Sequence, residues 1–294
     1  YNGKAGLIDL DLNQQQKVLQ AYGYPLDMAD YSALMLQGRP KQGQTLDDVK
    51  NLLLEEIKKL RAGDFDEKML QANINNFKLY QVQQLESNRG RADMFVNSFI
   101  NGTNWADEVT AIDRLAKLTK EDIVTFVNKY LTDQNYAVIY KKQGQNPNEK
   151  KMAKPTITPI VMNRDVASDF LKEIQNSNVK PVFLDFKKDL SQLKAKSGIP
   201  VLYKQNTSND LFQLIYVFDM GNNNDKALGT AFDYIDYLGT SDMTPEQVKS
   251  EFYRLACNFR VSPGNERTYV VLSGLNENMP EAMKLFEKLM ADAQ

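Results

Sequence analysis

The sequence predicts an α+β fold in which two domains, each a sheet covered by helices, are joined by a linker. In both outer regions, short apolar and aromatic runs typical of strands stand before longer segments with apolar residues at helical spacing. Between these regions, residues 141–180 are rich in Lys, Asn and Pro and poor in apolar residues. We therefore predict domains over residues 1–145 and 181–294, with a linker over residues 146–180.

The first region is predicted to contain strands followed by helices. Three apolar runs bounded by Pro and Gly are typical of strands: LIDLDL, KVLQAYGYPL and YSALMLQGRP. Thr45 and Asp48 have capping-box spacing at the start of a helix that ends at Gly63, and Asp66 is expected to cap a second helix. Helices are further predicted over residues 95–100, 105–115 and 123–131, and a closing strand over residues 136–140.

The second region repeats this arrangement. Strands are predicted over residues 199–203, 212–218, 258–262 and 268–273, the last two forming a hairpin. The long apolar-aromatic run 212–218 is suited to a central strand. Helices are predicted from Asp225, and from Thr244 with Pro245 at the first helical position. A final helix over residues 280–293 carries an apolar face: Ala282, Leu285, Phe286 and Leu289.

Histidine is absent from all 294 residues, which excludes several kinds of site. Ser-His-Asp and Cys-His nucleophile systems, H-E-x-x-H zinc sites and two-His-one-carboxylate iron sites all require imidazole. Carboxylate-pair, lysine-based and all-oxygen metal sites remain open. The 36 basic and 38 acidic residues leave a net charge of −2, which argues against a nucleic-acid partner. No apolar run approaches the ~20 residues that a membrane-spanning helix needs.

Several residues are candidates for chemistry, and each also has a plainer interpretation. Asp9 and Asp11 would place two carboxylates on one face of a strand, or form the polar face of an edge strand. Residues 221–225 precede a helix and would hold an anion there, or form a capped loop. Cys257, the single cysteine, is expected to be a small buried hydrophobe. An aromatic cluster is expected in the core rather than on a binding surface: Phe95, Phe99 and Trp105.

Three stretches resemble the pitrilysin/insulinase class of zinc peptidases, the inverzincins. After Gly239-Thr240, the run MTPEQVKSEFYRLACNFRVSPGNERTYVVLSGL and the helix EAMKLFEKL are similar to the family segment that follows its H-x-x-E-H helix. GRPKQGQTLDDVKNLLLEEIKKLRAGDFDEKML resembles the segment that follows the catalytic domain, and LTKEDIVTFVNKYL resembles the family's T-x-E-D helix. The resemblance covers nearly the whole chain outside the linker. The order of the motifs is its specific part.

The resemblance implies a duplicated, clamshell architecture in which two halves of two α+β domains each close around a peptide. Residues 1–145 would be the second domain of the N-terminal half, and residues 181–294 the truncated first domain of the C-terminal half. The chain opens at Tyr1 without an initiator Met and closes inside a helical pattern, so we expect an internal portion of a longer protein. The catalytic domain would then lie upstream of Tyr1, as a further partner of this chain.

The resemblance also assigns the zinc-motif positions. Counting back from Gly239-Thr240, Thr230 replaces the first His, Tyr234 the second His, and Asp233 the Glu that would act as general base. Thr and Tyr cannot supply the imidazole nitrogens of a tetrahedral zinc site. We therefore expect no catalytic residue, cofactor or metal in this chain, and zinc only in the full-length parent.

The function expected from the resemblance is that of a non-catalytic portion of a zinc-dependent metalloendopeptidase, forming chamber wall and hinge around a peptide or unfolded polypeptide. Residues 268–273 are one strand whose edge is expected to hold such a peptide. Two alternatives remain: the parent is an inactive homologue serving as a structural or regulatory partner subunit, or an unrelated α+β binding protein. The compartment is not encoded in the sequence. The family's tandem-half members imply the periplasm or cell envelope of a bacterium.

Overall fold

A computed structural model describes residues 5–144, 152–160, 162, 166–175 and 180–294, which combine helices with antiparallel sheets as an α+β fold requires. The contacts divide the chain into two units. The larger is built from both ends of the chain, Tyr1–Val138 and Asn206–Gln294, and the smaller is Ile139–Gln205. The division into two domains with a linker over 146–180 stays a prediction, as does the duplicated clamshell. Much of that linker lies outside the described residues.

The larger unit opens with a π-helix, Ile8–Gln14, where the LIDLDL pattern predicts a strand. That prediction was wrong. Ile8 and Leu12, four residues apart, lie on one side of a helical turn, and both are buried in a cluster with Val49 and Leu53. The helix buries Ile8, Asp9 and Leu12 together, whereas a strand would have turned Asp9 to the face opposite Ile8 and Leu12.

A two-stranded antiparallel sheet follows, formed by β1 (Gln20–Asp27) and β2 (Ser32–Arg39) with Gln20 opposite Arg39. Six helices come next: α1 (Leu46–Ala62), α2 (Lys68–Leu85), α3 (Asn88–Asn101), α4 (Trp105–Val109), α5 (Ala111–Leu115) and α6 (Lys120–Tyr130). The predicted strand over residues 136–140 is not formed, because within the described residues no neighbouring strand pairs with it.

The start and end of α1 agree with the prediction. Thr45 and Asp48 form a reciprocal capping box, in which Asp48 N–H donates to Thr45 Oγ1 at 3.1 Å and Thr45 N–H donates to Asp48 Oδ2 at 2.9 Å. Gly63 ends the helix with a φ of 72°, a left-handed conformation that glycine adopts without a Cβ clash. Asp66 Oδ1 accepts the N–H of Lys68 at 2.9 Å at the start of α2, as expected of a cap.

In the smaller unit, the described secondary structure is one helix and one short hairpin. α7 spans Asp169–Gln175, and β3 (Ser191–Lys194) pairs antiparallel with β4 (Pro200–Tyr203). None of the described residues of this unit is buried. The strand predicted over 199–203 is thus confirmed as β4, although it contributes to no core.

The second part of the larger unit contains a three-stranded antiparallel sheet in the order β5–β7–β6, built from Leu211–Phe218, Thr268–Leu275 and Cys257–Pro263 respectively. The predicted hairpin is confirmed as β6–β7. The predicted central position of β5 was wrong: β7 lies between the other two strands, and β5 is an edge strand. The most deeply buried strand side chains, Val270 and Leu272, accordingly belong to β7.

Helices cover one face of this sheet. After β5 come α8 (Leu228–Tyr234) with a 3₁₀ turn (Ile235–Tyr237), then α9 (Pro245–Arg254), and after β7 comes α10 (Met279–Ala291). Thr244 caps α9 through a capping box, as predicted. The core contains much of the predicted apolar face of α10, with Ala282, Phe286 and Leu289 fully buried against side chains of α9 and the sheet.

The two parts of the larger unit are joined by α2 packing on α9. Asn76 Nδ2 donates to the carbonyl oxygen of Tyr253 at 2.7 Å, and the Tyr253 hydroxyl donates to Asn73 Oδ1 at 2.7 Å. Beside these hydrogen bonds, Leu79 of α2 packs in a small buried cluster with Ala256 and Leu275. This contact joins segments about 180 positions apart in the sequence.

Candidate functional site

The three zinc-motif positions lie on α8 and its final turn. Thr230, Asp233 and Tyr234 are all exposed, and the Tyr234 ring packs against Tyr237 with centroids 6.1 Å apart. Zinc takes thiolate, imidazole or carboxylate ligands, and only Asp233 of these three offers one. In the described part of the chain, no group of three or more His, Cys, Asp or Glu side chains is placed to hold a metal ion. The residues at these positions do not fit a zinc ion.

The Gly239-Thr240 pair forms a tight turn. Gly239 N–H donates to the Gln294 carbonyl at 3.0 Å, and Gln294 N–H donates back to the Gly239 carbonyl at 3.1 Å. A Cβ on Gly239 would lie 2.2 Å from the Met243 carbonyl oxygen, so this close approach requires glycine. Thr240 Oγ1 donates to Asp242 Oδ1 at 2.8 Å, and Asp242 is ion-paired with Lys288 of α10 at 2.5 Å. Gly239 and Thr240 therefore hold the C-terminal end of α10, Gly239 through Gln294 and Thr240 through Asp242 and its ion pair with Lys288.

Asp9 and Asp11 do not form a carboxylate pair, nor do they lie on the polar face of an edge strand. On the opening π-helix they have different partners: Asp9 Oδ2 accepts the N–H of Gly6 at 3.2 Å, and Asp11 Oδ2 pairs with Lys59 Nζ at 2.5 Å. Lys59 also contacts the buried carboxylate of Glu56 at 3.0 Å. Burial raises the pKa of Glu56, while the hydrogen bond from Lys59 acts in the opposite direction. The ion pair between Asp11 and Lys59 therefore holds the π-helix against α1.

Cys257 is a buried thiol, 5% exposed, as predicted. Burial raises its pKa to about 12, so the thiol stays protonated and unreactive near neutral pH.

The loop at residues 221–225 is also a capped turn, as its plainer interpretation predicts. Gly221 N–H donates to Asn224 Oδ1 at 3.0 Å, and Ala227 N–H donates to Asp225 Oδ1 at 2.9 Å.

The aromatic cluster is not in the core, and that expectation was wrong. Phe95 and Trp105 stack with ring centroids 4.3 Å apart, but Phe95 is exposed and Phe99 is 88% exposed. The helices that carry them, α3 and α4, bury Ser98 but no large apolar side chain. Phe95 and Trp105 therefore shield one another in part, while Phe99 lies almost fully open to solvent.

The larger unit contains a cleft of about 360 Å³ that no sequence pattern predicted. Its walls are α2, the segment after α8, α9, the start of β6 and one side chain of α10. Most of the lining is apolar, including Leu79, Leu238, Val248, Phe252 and Leu289. Because the walls come from distant parts of the chain, no local pattern could have found it. The packing of α2 on α9 creates the cleft.

Two tyrosines stand at this cleft. Tyr80 is exposed, while Tyr253 is half-buried with its hydroxyl bonded to Asn73. Burial raises the pKa of Tyr253 to about 12, with smaller contributions from Tyr80 and the negative charge of Asp9. The Tyr253 hydroxyl is therefore a neutral hydrogen-bonding group at physiological pH, and it has no role as a base.

The predicted peptide-binding edge at residues 268–273 is not available. That segment is β7, which is hydrogen-bonded to β5 on one side and β6 on the other. A strand paired on both sides has no free backbone groups for a further strand. Addition of a peptide to this sheet is confined to its two edges, β5 and β6.

Comparison with known proteins gives a distant likeness to proteases. No family model matches the sequence, and no curated protein matches it. The structure of the periplasmic protease PqqL from Escherichia coli aligns at 14% identity with a TM-score of 0.37, over 100% of this chain and 35% of that one. A mutant of the ferredoxin protease FusC, in complex with Arabidopsis ferredoxin, aligns at 10% identity and a TM-score of 0.36, over 99% and 36%.

A protease from Helicobacter pylori aligns at 12% identity with a TM-score of 0.32, over 36% of this chain and 26% of that one. This chain thus spans about a third or less of the length of each of these proteases. As for membranes, the helices over the described residues include none with the length and apolar character needed to cross a bilayer.

Proposed function

We propose that this chain is a non-catalytic portion of a zinc-dependent metalloendopeptidase, in which it forms chamber wall and hinge around a peptide or unfolded polypeptide. One observation carries the proposal. Counting back from the Gly239-Thr240 turn places Thr230 and Tyr234 where the resembled family has its two histidines, and both side chains point to solvent without a metal-ligating partner set among the described residues. The zinc-activated water that hydrolyses the peptide bond would be supplied upstream of Tyr1.

The exposed area of the chain supports a role within a larger protein. In the larger unit, the described residue Phe99 is 88% exposed, and Phe95 and Ile100 on the same helix are each more than half exposed. Such surface is costly in water and is usually covered by other parts of a protein.

We further propose a periplasmic or cell-envelope location in a bacterium, as the family resemblance implies. The alternative function is that of an inactive homologue, in which the parent serves as a structural or regulatory partner subunit. This alternative requires that the upstream copy of the motif has lost its zinc ligands, as this copy has at Thr230 and Tyr234. The two proposals differ in whether the parent contains zinc.

The reading frame and its product test the proposal together. We expect an H-x-x-E-H motif and a later Glu ligand upstream of Tyr1, about one zinc per full-length chain, and cleavage of β-casein that a chelator stops. The matched control is the full-length protein with the motif glutamate changed to glutamine, which should keep its zinc and lose cleavage. Absence of both zinc and cleavage favours the inactive homologue. Zinc-dependent turnover by this chain alone contradicts the proposal.

A further inference from the structure

Asn76 brings an unused hydrogen-bond acceptor to the cleft. Its amide nitrogen donates to the carbonyl oxygen of Ala72 at 2.8 Å and to that of Tyr253 at 2.7 Å. Its amide oxygen, Oδ1, accepts no hydrogen bond from the described residues. Asn76 is only 9% exposed, yet no fully buried side-chain oxygen in the described part of the chain lacks a partner, so solvent reaches Oδ1. The open space that Asn76 lines is the cleft.

Tyr253 provides a second acceptor at the same seam between α2 and α9. Its side chain also lines the cleft, and its hydroxyl hydrogen is donated to Asn73 Oδ1 at 2.7 Å. The hydroxyl oxygen can therefore only accept a further hydrogen bond. A ligand that bonded to Asn76 Oδ1 or to this hydroxyl would have to supply the donor.

The charged side chains of the lining do not favour a charged ligand. Among the described residues that line the cleft, the charged ones are Lys249 and Asp236, which have opposite signs. The Lys249 ammonium donates to Gln14 Oε1 and lies over the Tyr237 ring, 5.3 Å from its centroid. Asp236 also has a partner. A charged ligand would lose hydration without meeting an unpaired opposite charge, so the cleft favours a neutral molecule.

Aromatic side chains form much of the remaining lining. Phe252 of α9 and Phe259 of β6 lie with ring centroids 5.0 Å apart and an angle of 57° between their planes, and Tyr80 of α2 also lines the cleft. Rings at such surfaces pack well against a further ring, edge-to-face or offset. The volume of about 360 Å³ lies at the lower end of the range for small-molecule sites.

We propose that the cleft binds a neutral, small aromatic molecule that carries one hydrogen-bond donor, with its rings against the aromatic lining and its N–H or O–H on Asn76 Oδ1. Each property of the ligand follows from one part of the lining. The free acceptors require a donor, the aromatic and aliphatic side chains favour a ring, and the partnered charges favour neutrality. This site goes beyond the proposed function and uses none of its zinc chemistry.

Such a ligand would stabilise the contact between α2 and α9, since its site has walls from both helices. A molecule that binds only the folded state raises the melting temperature once its concentration exceeds the dissociation constant. For two fused rings and one hydrogen bond, we expect a dissociation constant on the order of 0.1 mM.

Calorimetric titration and thermal melts of the full 294-residue chain with indole test the inference. Indole has two fused rings and one N–H, and N-methylindole keeps the rings but lacks the donor. We expect saturable binding of indole, at least tenfold weaker binding of N-methylindole, and a larger rise in melting temperature with indole at equal concentration. Equal binding of the two molecules, or no saturable binding of indole in the millimolar range, overturns the inference.

A matched pair of variants places the ligand in the cleft. Tyr80→Ala removes an exposed ring of the lining and should weaken indole binding at least threefold. Tyr31→Ala, at an exposed position between β1 and β2, should leave binding unchanged. Indole binding that is the same in Tyr80→Ala as in the unaltered chain overturns the location.

The contrast between indole and N-methylindole uses the unaltered chain, so it stands even if a variant fails to fold. Circular dichroism of Tyr80→Ala and Tyr31→Ala checks folding. A failure of indole to bind removes the site but leaves the proposed function standing, because that function depends on zinc and cleavage in the full-length protein.

Discussion

At the residue scale, burial controls the chemistry of the few reactive groups in the larger unit. Cys257 and Tyr253 each have a pKa raised to about 12, and in both cases loss of water around the charged form is the largest cause. Tyr216 behaves in the same way, with the carboxylate of Glu287 as a second cause. These groups are therefore neutral across the physiological range. Their positions favour packing over catalysis.

The raised pKa values predict that the protein loses stability at alkaline pH. The folded-state pKa of Tyr253 exceeds its ordinary value of 10.0, so its contribution is fully present below pH 10 and is lost as the pH rises toward 12. We expect the melting temperature to fall between pH 10 and 12. Tyr253→Phe should flatten that slope, and Tyr31→Phe, at an exposed position, should not. Equal slopes in thermal melts of all three proteins would contradict this account.

The Gly239 turn gives a second prediction at this scale. Gly239→Ala forces a Cβ to within 2.2 Å of the Met243 carbonyl oxygen, and we expect a loss of about 1–3 kcal/mol in the free energy of unfolding. The matched control is Gly229→Ala in α8, where the nearest atom lies 4.0 Å away. There we expect no loss and a gain of up to about 1 kcal/mol. Urea unfolding measures the free energy of unfolding of both variants. Similar losses in the two would show that the close approach at Gly239 does not require glycine.

At the element scale, local signals identified the capped helices but neither the opening π-helix nor the order of the strands in the three-stranded sheet. The capping boxes that begin α1 and α9 are hydrogen bonds between residues three apart, so the printed sequence contains both partners. The LIDLDL run is different, since apolar residues at every second position satisfy both a strand and a helical turn that buries Ile8 and Leu12. The edge position of β5 depends on where β7 inserts, a long-range choice that no local pattern contains.

The contact between α2 and α9 depends on one buried asparagine. Asn76→Ala removes the hydrogen bond from Nδ2 to the Tyr253 carbonyl, which keeps a backbone hydrogen bond from the N–H of Ala256, and we expect a loss of about 0.5–1.5 kcal/mol in the free energy of unfolding. Asn75→Ala, one position along the same helix, removes two exposed hydrogen bonds, one of 3.3 Å to the Arg254 carbonyl and one of 2.9 Å from Gln71. We expect it to change stability by less than about 0.5 kcal/mol. Chemical denaturation measures both; equal effects would show that the interface does not rely on Asn76.

At the scale of the whole molecule, the larger unit is assembled from two segments that the smaller unit interrupts. Residues Tyr1–Val138 and Asn206–Gln294 belong to one unit, and the domains over residues 1–145 and 181–294 stay a prediction. The cleft exists only because α2 packs on α9 within this unit.

This arrangement predicts the course of limited proteolysis. None of the described residues between Ile139 and Gln205 is buried, and the stretch contains lysines at 141, 142, 154, 180 and 187. Trypsin should cut there first, and the two flanking fragments should remain associated and elute together on gel filtration. The internal control is Lys59, whose ion pairs with Asp11 and Glu56 should protect it. Fragments that separate after cleavage would show that the larger unit is not held by its own contacts.

By itself, the sequence determined the α+β class, the capped helices, the β6–β7 hairpin, the buried state of Cys257 and the lack of zinc ligands at Thr230 and Tyr234. Each of these depends on residue type or on partners a few positions apart. Tertiary structure alone decided the edge position of β5, the exposure of the Phe95–Trp105 stack and the cleft beside β6. Those features depend on which distant segments meet, and the free energy of such contacts is shared among residues that no window of the sequence contains together.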